Sequence, residues 1–159
     1  MGNLSRRTFL KGSLASGVVA AAAGAGLLHP TRAVASREWS QGAFGAKSVP
    51  AALKARYGSA SAAQSGKVRV KAPLQAEDGR FVRISVSSGL PDTESISVLV
   101  KENMQPMAAS VQLANGASTF FSVRVKMSKT SDIYAVVKSG GKLYMKKQKI
   151  KVTVGGCGG

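Results

Sequence analysis

The chemistry available to this chain reduces to one sulfur atom. Cys157 is the only cysteine in 159 residues, and it stands in Val154-Gly155-Gly156-Cys157-Gly158-Gly159. A thiol can attack, pair with another thiol, or hold a group covalently. As an unaided nucleophile it is poor: a free pKa of about 8.5 leaves only ~3% thiolate at pH 7. The single histidine, His29, lies in a segment expected to be removed, so the mature chain offers no imidazole base. One Cys and one His cannot build a multi-ligand Cys/His metal site or an internal disulfide. No metal, cofactor or catalytic residue is expected.

The flanking residues suit a handle better than a catalyst. Gly155, Gly156, Gly158 and Gly159 have no side chains to pack and roam φ/ψ space, which makes a thin, flexible arm able to thread a narrow cleft. Extended, Gly155 to Cys157 reach ~10 Å past the preceding strand, at roughly 3.3–3.6 Å per residue. Ordering such an arm costs about 1–2 kcal/mol per residue, so each docking event is weak and brief. Exposed free thiols are normally avoided in exported proteins. Three uses stay open: a covalent carrier, a thiol enzyme such as a sulfurtransferase or peroxidase, and a structural subunit linked through an intermolecular disulfide.

Export is read from the other end. Ser5-Arg6-Arg7-Thr8-Phe9-Leu10-Lys11 matches the twin-arginine pattern S-R-R-x-F-L-K. An uncharged run follows from Leu14 to Leu28, shorter than the ~20 apolar residues of a membrane span, so no stable insertion is expected. Ala33-Val34-Ala35 supplies a small-x-small cleavage site. Residues 1–35 are therefore expected to be a removed signal, delivering a folded protein to the periplasm with Arg6 and Arg7 marking the route.

The charge is lopsided. The 23 Lys and Arg against 7 Asp and Glu give a formal +16, and removal of Arg6, Arg7, Lys11 and Arg32 still leaves +12. Export and the lack of aromatics interleaved with the basic residues argue against nucleic acid as a partner. The lysines at 138, 142, 146, 147, 149 and 151 read as a solvated strand face, or as an attractor of anions or acidic surfaces.

The elements that must position the thiol follow from periodicity. Pro50 to Tyr57 reads as a short helix, with Pro50 at its first position and Gly58 just past its end. Leu53 and Tyr57, four apart, share its packing face. Beyond residue 66 the period is two. Val68/Val70, Val82/Ile84/Val86, Ile96/Val98/Val100, Val111/Leu113, Phe121/Val123/Val125/Met127, Ile133/Ala135/Val137 and Ile150/Val152/Val154 mark about seven strands, with Leu99 pointing the other way. Glu77-Asp78-Gly79, Asn115-Gly116 and Gly140-Gly141 mark turns. This predicts an all-β protein, an immunoglobulin-like antiparallel sandwich over residues 36–154 with one short helix near 50–57, followed by an arm at 155–159. An open barrel is the alternative.

The final stretch Lys149-Ile150-Lys151-Val152-Thr153-Val154-Gly155-Gly156-Cys157-Gly158-Gly159 resembles the K-V-K-V-T-I-G-G-C-G-G ending of the SoxY family. The twin-arginine signal, the short helix, Lys67 to Gly79, Phe120 to Thr130 and Ile133 to Tyr144 resemble that family too. Two places depart from it: the mature charge is more basic, and Asn103-Met104-Gln105-Pro106-Met107 replaces an N-P-x-P-like segment. The resemblance implies a non-catalytic sulfur carrier of the periplasmic thiosulfate-oxidising complex, with thiosulfate-derived sulfur as covalent cargo on Cys157. It also implies a heterodimer with a SoxZ-like subunit and transient docking to SoxXA, SoxB and, where present, SoxCD.

Overall fold

The computed structural model describes residues 40–114 and 116–153. The predicted export signal (Arg6, Arg7, Ala33, Ala35) and the predicted arm (Gly155, Gly156, Cys157, Gly158, Gly159) lie outside the described residues.

Among the described residues two helices come first, α1 (Gln41–Gly45) and α2 (Val49–Tyr57). Helix α2 begins one residue before the position predicted from Pro50. Ser48 caps it, accepting a hydrogen bond from the Ala51 N–H at 3.3 Å. Gly58 closes it in the left-handed region (φ 77°), its N–H donating to the Lys54 carbonyl at 2.8 Å. A single helix was expected, so α1 is an addition. Its five residues have no side-chain cap bond, and Ala43 is its one buried residue.

The strands are β1 (Ala63–Gln64), β2 (Val68–Lys71), β3 (Gln75–Ala76), β4 (Val82–Ser88), β5 (Thr93–Val100), β6 (Met107–Gln112), β7 (Phe120–Val125), β8 (Ser131–Ser139) and β9 (Lys142–Val152). Seven of them are the strands that alternation predicted. The two-residue β1 and β3 carry too little sequence to show a period. One sheet has the order β1-β9-β8-β5-β6, with β3 also on β9, and the other is β2-β4-β7. Two separate sheets exclude the barrel and give the immunoglobulin-like sandwich. All long pairings are antiparallel, whereas β1 and β3 join β9 in parallel. Gly140 and Gly141, with φ of 53° and 73°, make the tight β8–β9 hairpin, a turn that needs positive φ twice in succession.

The main core lies between the sheets. Ile84, Val86, Ile96, Val98, Ile133, Val137 and Ile150 are fully buried there, each worth about 1.5–3 kcal/mol relative to exposure. A second core lies on the other side of the larger sheet. There Ala52 and Leu53 of α2 and Ala43 of α1 cover Leu99, Met107 and Val136. Period-two alternation marks one face of a strand as apolar, but β5 is buried on both faces. Its polar positions are satisfied internally: Ser97 Oγ donates to Ser110 Oγ at 2.8 Å, and the Tyr57 hydroxyl bonds both Ser97 and Ser95. A buried serine is inexpensive once its hydroxyl is paired.

Candidate functional site

Because Cys157 lies outside the described residues, the site is approached through the strand that leads to it. Strand β9 is the longest among the described residues and ends at Val152. Its last turn of sequence is held from both sides. Along one edge, the Lys151 N–H donates to the Leu74 carbonyl at 2.9 Å and the Thr153 N–H to the Ala76 carbonyl at 3.0 Å. On the other side, the Val152 N–H donates to Thr130 Oγ1 at 3.0 Å. Beneath, Ile150 is fully buried and Val152 packs half-buried on the main core. Each such bond contributes about 0.5–1.5 kcal/mol net, enough together to keep the strand end from fraying.

Gly79 completes this root. Its carbonyl accepts from the Met127 N–H at 2.7 Å. A methyl group on Gly79 would collide with the Met127 carbonyl and come within 3.0 Å of Val152 Cγ1. Close approach, not turn geometry, is what this position requires: its φ is not among the positive ones. Leu74, Ala76, Gly79, Met127 and Thr130 thus converge on Lys151, Val152 and Thr153, the last described residues before the predicted arm. From Thr153, Cys157 stands four residues on, a reach of ~14 Å at roughly 3.3–3.6 Å per residue.

The lysine series divides. Lys138 pairs with Glu94 at 2.7 Å, and Lys147 pairs with Asp132 at 3.0 Å while lying 5.9 Å from the centre of the Tyr134 ring. The Lys138 hydrogen bond, helped by the Gly141 N–H, holds the Glu94 carboxyl below its ordinary value. Lys142, Lys146, Lys149 and Lys151 are exposed and form no ion pair among the described residues. Among the described residues there is also no group of three or more His, Cys, Asp or Glu able to hold a metal ion. No helix there is long and apolar enough to cross a membrane.

The structure therefore positions the root of the arm without describing the predicted site residues themselves. Sequence reasoning singled out the thiol, which lies outside the described residues, and did not anticipate the root. Thr130 sits 22 residues from Val152, and Ala76 sits 77 residues from Thr153, so no local pattern links them.

Comparisons with known proteins bear on the same region. The model of the sulfur oxidation protein SoxY family matches residues 53–157. The structure of the sulfur carrier protein SoxY from Chlorobium limicola f thiosulfatophilum is similar at 36% identity and a TM-score of 0.62, covering 72% of this chain and 100% of that one. A superoxide reductase (neelaredoxin) from Ignicoccus hospitalis is similar at 18% identity and a TM-score of 0.50, covering 55% of this chain and 80% of that one. That second likeness concerns the fold alone. No curated protein gives a significant match.

Proposed function

The chain belongs to the SoxY family of sulfur oxidation proteins, and from that premise we propose that Cys157 carries the sulfur of thiosulfate covalently between the Sox enzymes. Membership implies a sulfur-carrier role in the Sox system, within a family that is typically non-catalytic and in general periplasmic. What carries the finer reading is the family match itself, which runs to residue 157, the only cysteine, just past a firmly anchored strand end.

The chemistry asks little of the carrier. Thiosulfate joins the Cys157 sulfur as a new S–S bond forms, the thiol proton is released, and an electron pair passes to the haem protein SoxXA. Water then attacks the sulfone sulfur in SoxB, and the bond to the sulfane sulfur breaks. Sulfate leaves and a persulfide stays on Cys157. SoxCD, where present, oxidises that sulfane sulfur. Every activating group is the enzymes' own, so a thiol that is ~3% ionised at pH 7 is adequate. Gly155, Gly156, Gly158 and Gly159 keep the arm thin enough to enter each cleft.

The reading includes export through Arg6 and Arg7, cleavage after Ala35, and pairing with a SoxZ-like subunit that lacks a signal of its own. The test is to incubate the mature protein and its partner with SoxXA, thiosulfate and an electron acceptor, then weigh it. Wild type should gain one thiosulfonate group on the Cys157 peptide, and Cys157→Ser none. Loading of the serine variant would sink the assignment.

A further inference from the structure

The outer face of the three-stranded sheet is a cationic grid that the carrier reading has not used. Pairing of β2 with β4 sets Arg69 opposite Ser87 and Lys71 opposite Ser85. Pairing of β4 with β7 sets Ser87 opposite Phe120, Ser85 opposite Ser122, and Arg83 opposite Arg124. Alternate residues (Val82, Ile84, Val86) are buried, so Arg69, Lys71, Arg83 and Arg124 all lie on the outer side and are exposed. Arg69, Lys71, Arg83 and Phe120 line an open depression of about 970 Å³ on this face.

Three observations say what this face is for. First, none of its cations forms an ion pair among the described residues. The ion pairs among the described residues engage Arg80, Lys101, Lys129, Lys138 and Lys147, never the four on this face. Second, Arg83 directly faces Arg124. Like charges opposite one another across a ladder destabilise the pair, so the fold gains nothing from this arrangement. Third, the sheet end that carries Lys71, Arg83 and Arg124 is the end nearest Lys151, Val152 and Thr153, the last described residues before the predicted arm. The chain leaves Lys71 through Pro73 and Leu74 to join β9, where the Leu74 carbonyl takes the Lys151 N–H. Exposed apolar groups flank the face: Phe120 within it, Phe81 two residues before Arg83, and Leu74 beside the arm's root.

We propose that this face, centred on Lys71, Arg83 and Arg124, is the docking surface for an acidic patch on an enzyme that receives the arm; the proposal rests on the carrier reading above. Size and openness favour a protein surface met briefly. Three strands by three rows span only about 10 by 14 Å, at ~4.8 Å between strands and ~3.4 Å per residue, which suits the small end of interfaces and not a standing subunit. Unpaired surface charge acts mainly by steering encounter, and arginine with an aromatic is the usual anchor composition.

The test uses the mature protein with its partner subunit and compares wild type, Arg83→Glu/Arg124→Glu, Arg83→Lys/Arg124→Lys and Cys157→Ser. Carrier concentration is varied against the purified loading and sulfate-releasing enzymes at low and physiological salt. The double glutamate variant should raise KM by about tenfold or more for at least one enzyme, with kcat unchanged and a flatter salt dependence. The double lysine variant should stay near wild type, and labelling of Cys157 by N-ethylmaleimide should be the same in all thiol-bearing forms. Arg124→Glu alone, now facing Arg83, should raise the melting temperature, which separates docking from folding. Should the double glutamate variant fail to fold, Arg83→Ser/Arg124→Ser removes the charge among existing serines and must also raise KM. An unchanged KM overturns the docking surface and leaves the carrier reading intact. So does loss of the co-purifying partner, or a sulfate titration seen only in wild type, since these assign the face to a standing subunit or to a free oxyanion. Turnover with Cys157→Ser overturns the carrier reading whatever the arginines do.

Discussion

Strands β4 and β5 read alike in sequence and live in different surroundings. Both place serines between β-branched residues, Ile84-Ser85-Val86-Ser87 in one and Ser95-Ile96-Ser97-Val98 in the other. In β4 the serines line the bare cationic face, where Ser85 and Ser122 bond each other at 2.9 Å within reach of water. In β5 they are sealed beneath α2, where the Tyr57 hydroxyl and Ser110 satisfy them. Alternation thus reports that a strand has a core side and says nothing about what covers the other side. The covered face spends its side chains on stability, and the bare face leaves its charges for a partner.

The sharpest way to break this contrast is to truncate one apolar residue on each face. Leu99→Ala, beneath the helices, should cost about 2–5 kcal/mol, because the helical layer cannot fully collapse into the space left. Phe120→Ala, on the bare face, should stay within ~0.5 kcal/mol. Urea melts of the two variants decide it; equal losses would mean the small sheet's outer face is also a packing layer. Tyr57→Phe should come next, at about 1–3 kcal/mol, since Ser95 Oγ loses the partner it donates to. A neutral result by the same melts would mean water replaces the hydroxyl, and that the seal is leaky.

Smaller effects belong to charge. Arg124→Glu should gain about 0.2–1 kcal/mol by turning a repulsive cross-strand pair into an attractive one, read as a rise in the urea midpoint. Smallest is Glu94→Gln, near the start of β5 in the larger sheet. Glu94 is held below its ordinary value of 4.5, first by Lys138 and then by the Gly141 N–H. Its contribution is therefore full above 4.5 and is lost as pH falls through the lower folded value. Stability of wild type should drop more steeply below about pH 4.5 than that of Glu94→Gln. Parallel pH curves would show that Lys138 and Gly141 do not hold the carboxylate in solution.

Much of the sandwich was legible because its signals are local. Gly58 ends α2, Gly140-Gly141 makes the hairpin, and Leu99 faces away from the Ile96/Val98/Val100 side, as alternation had indicated. Helix α1 was not legible: Gln41-Gly42-Ala43-Phe44-Gly45 has two glycines, no cap and too few residues for a period. The same holds for β1 and β3, which exist because β9 offers them an edge. The thiol could be found because a lone cysteine among glycines is a compositional signal. The Arg83–Arg124 pairing could not, because a register between strands 41 residues apart is set by the whole core.

The grip on the end of β9 has a mechanical side. A pull on residues beyond Thr153 runs along the strand axis, whereas the bonds from Lys151, Val152 and Thr153 lie across it. Bonds to the parallel β3 segment are slanted and those of an antiparallel ladder nearly perpendicular, but both run between strands, so such a pull loads them together in shear and does not unzip them one by one. The antiparallel run with β8, from Ser131↔Ile150 to Ser139↔Lys142, shares the same load. A tug on the chain beyond Thr153 is therefore spread over the whole length of β9, and Thr153 acts as a fixed fulcrum.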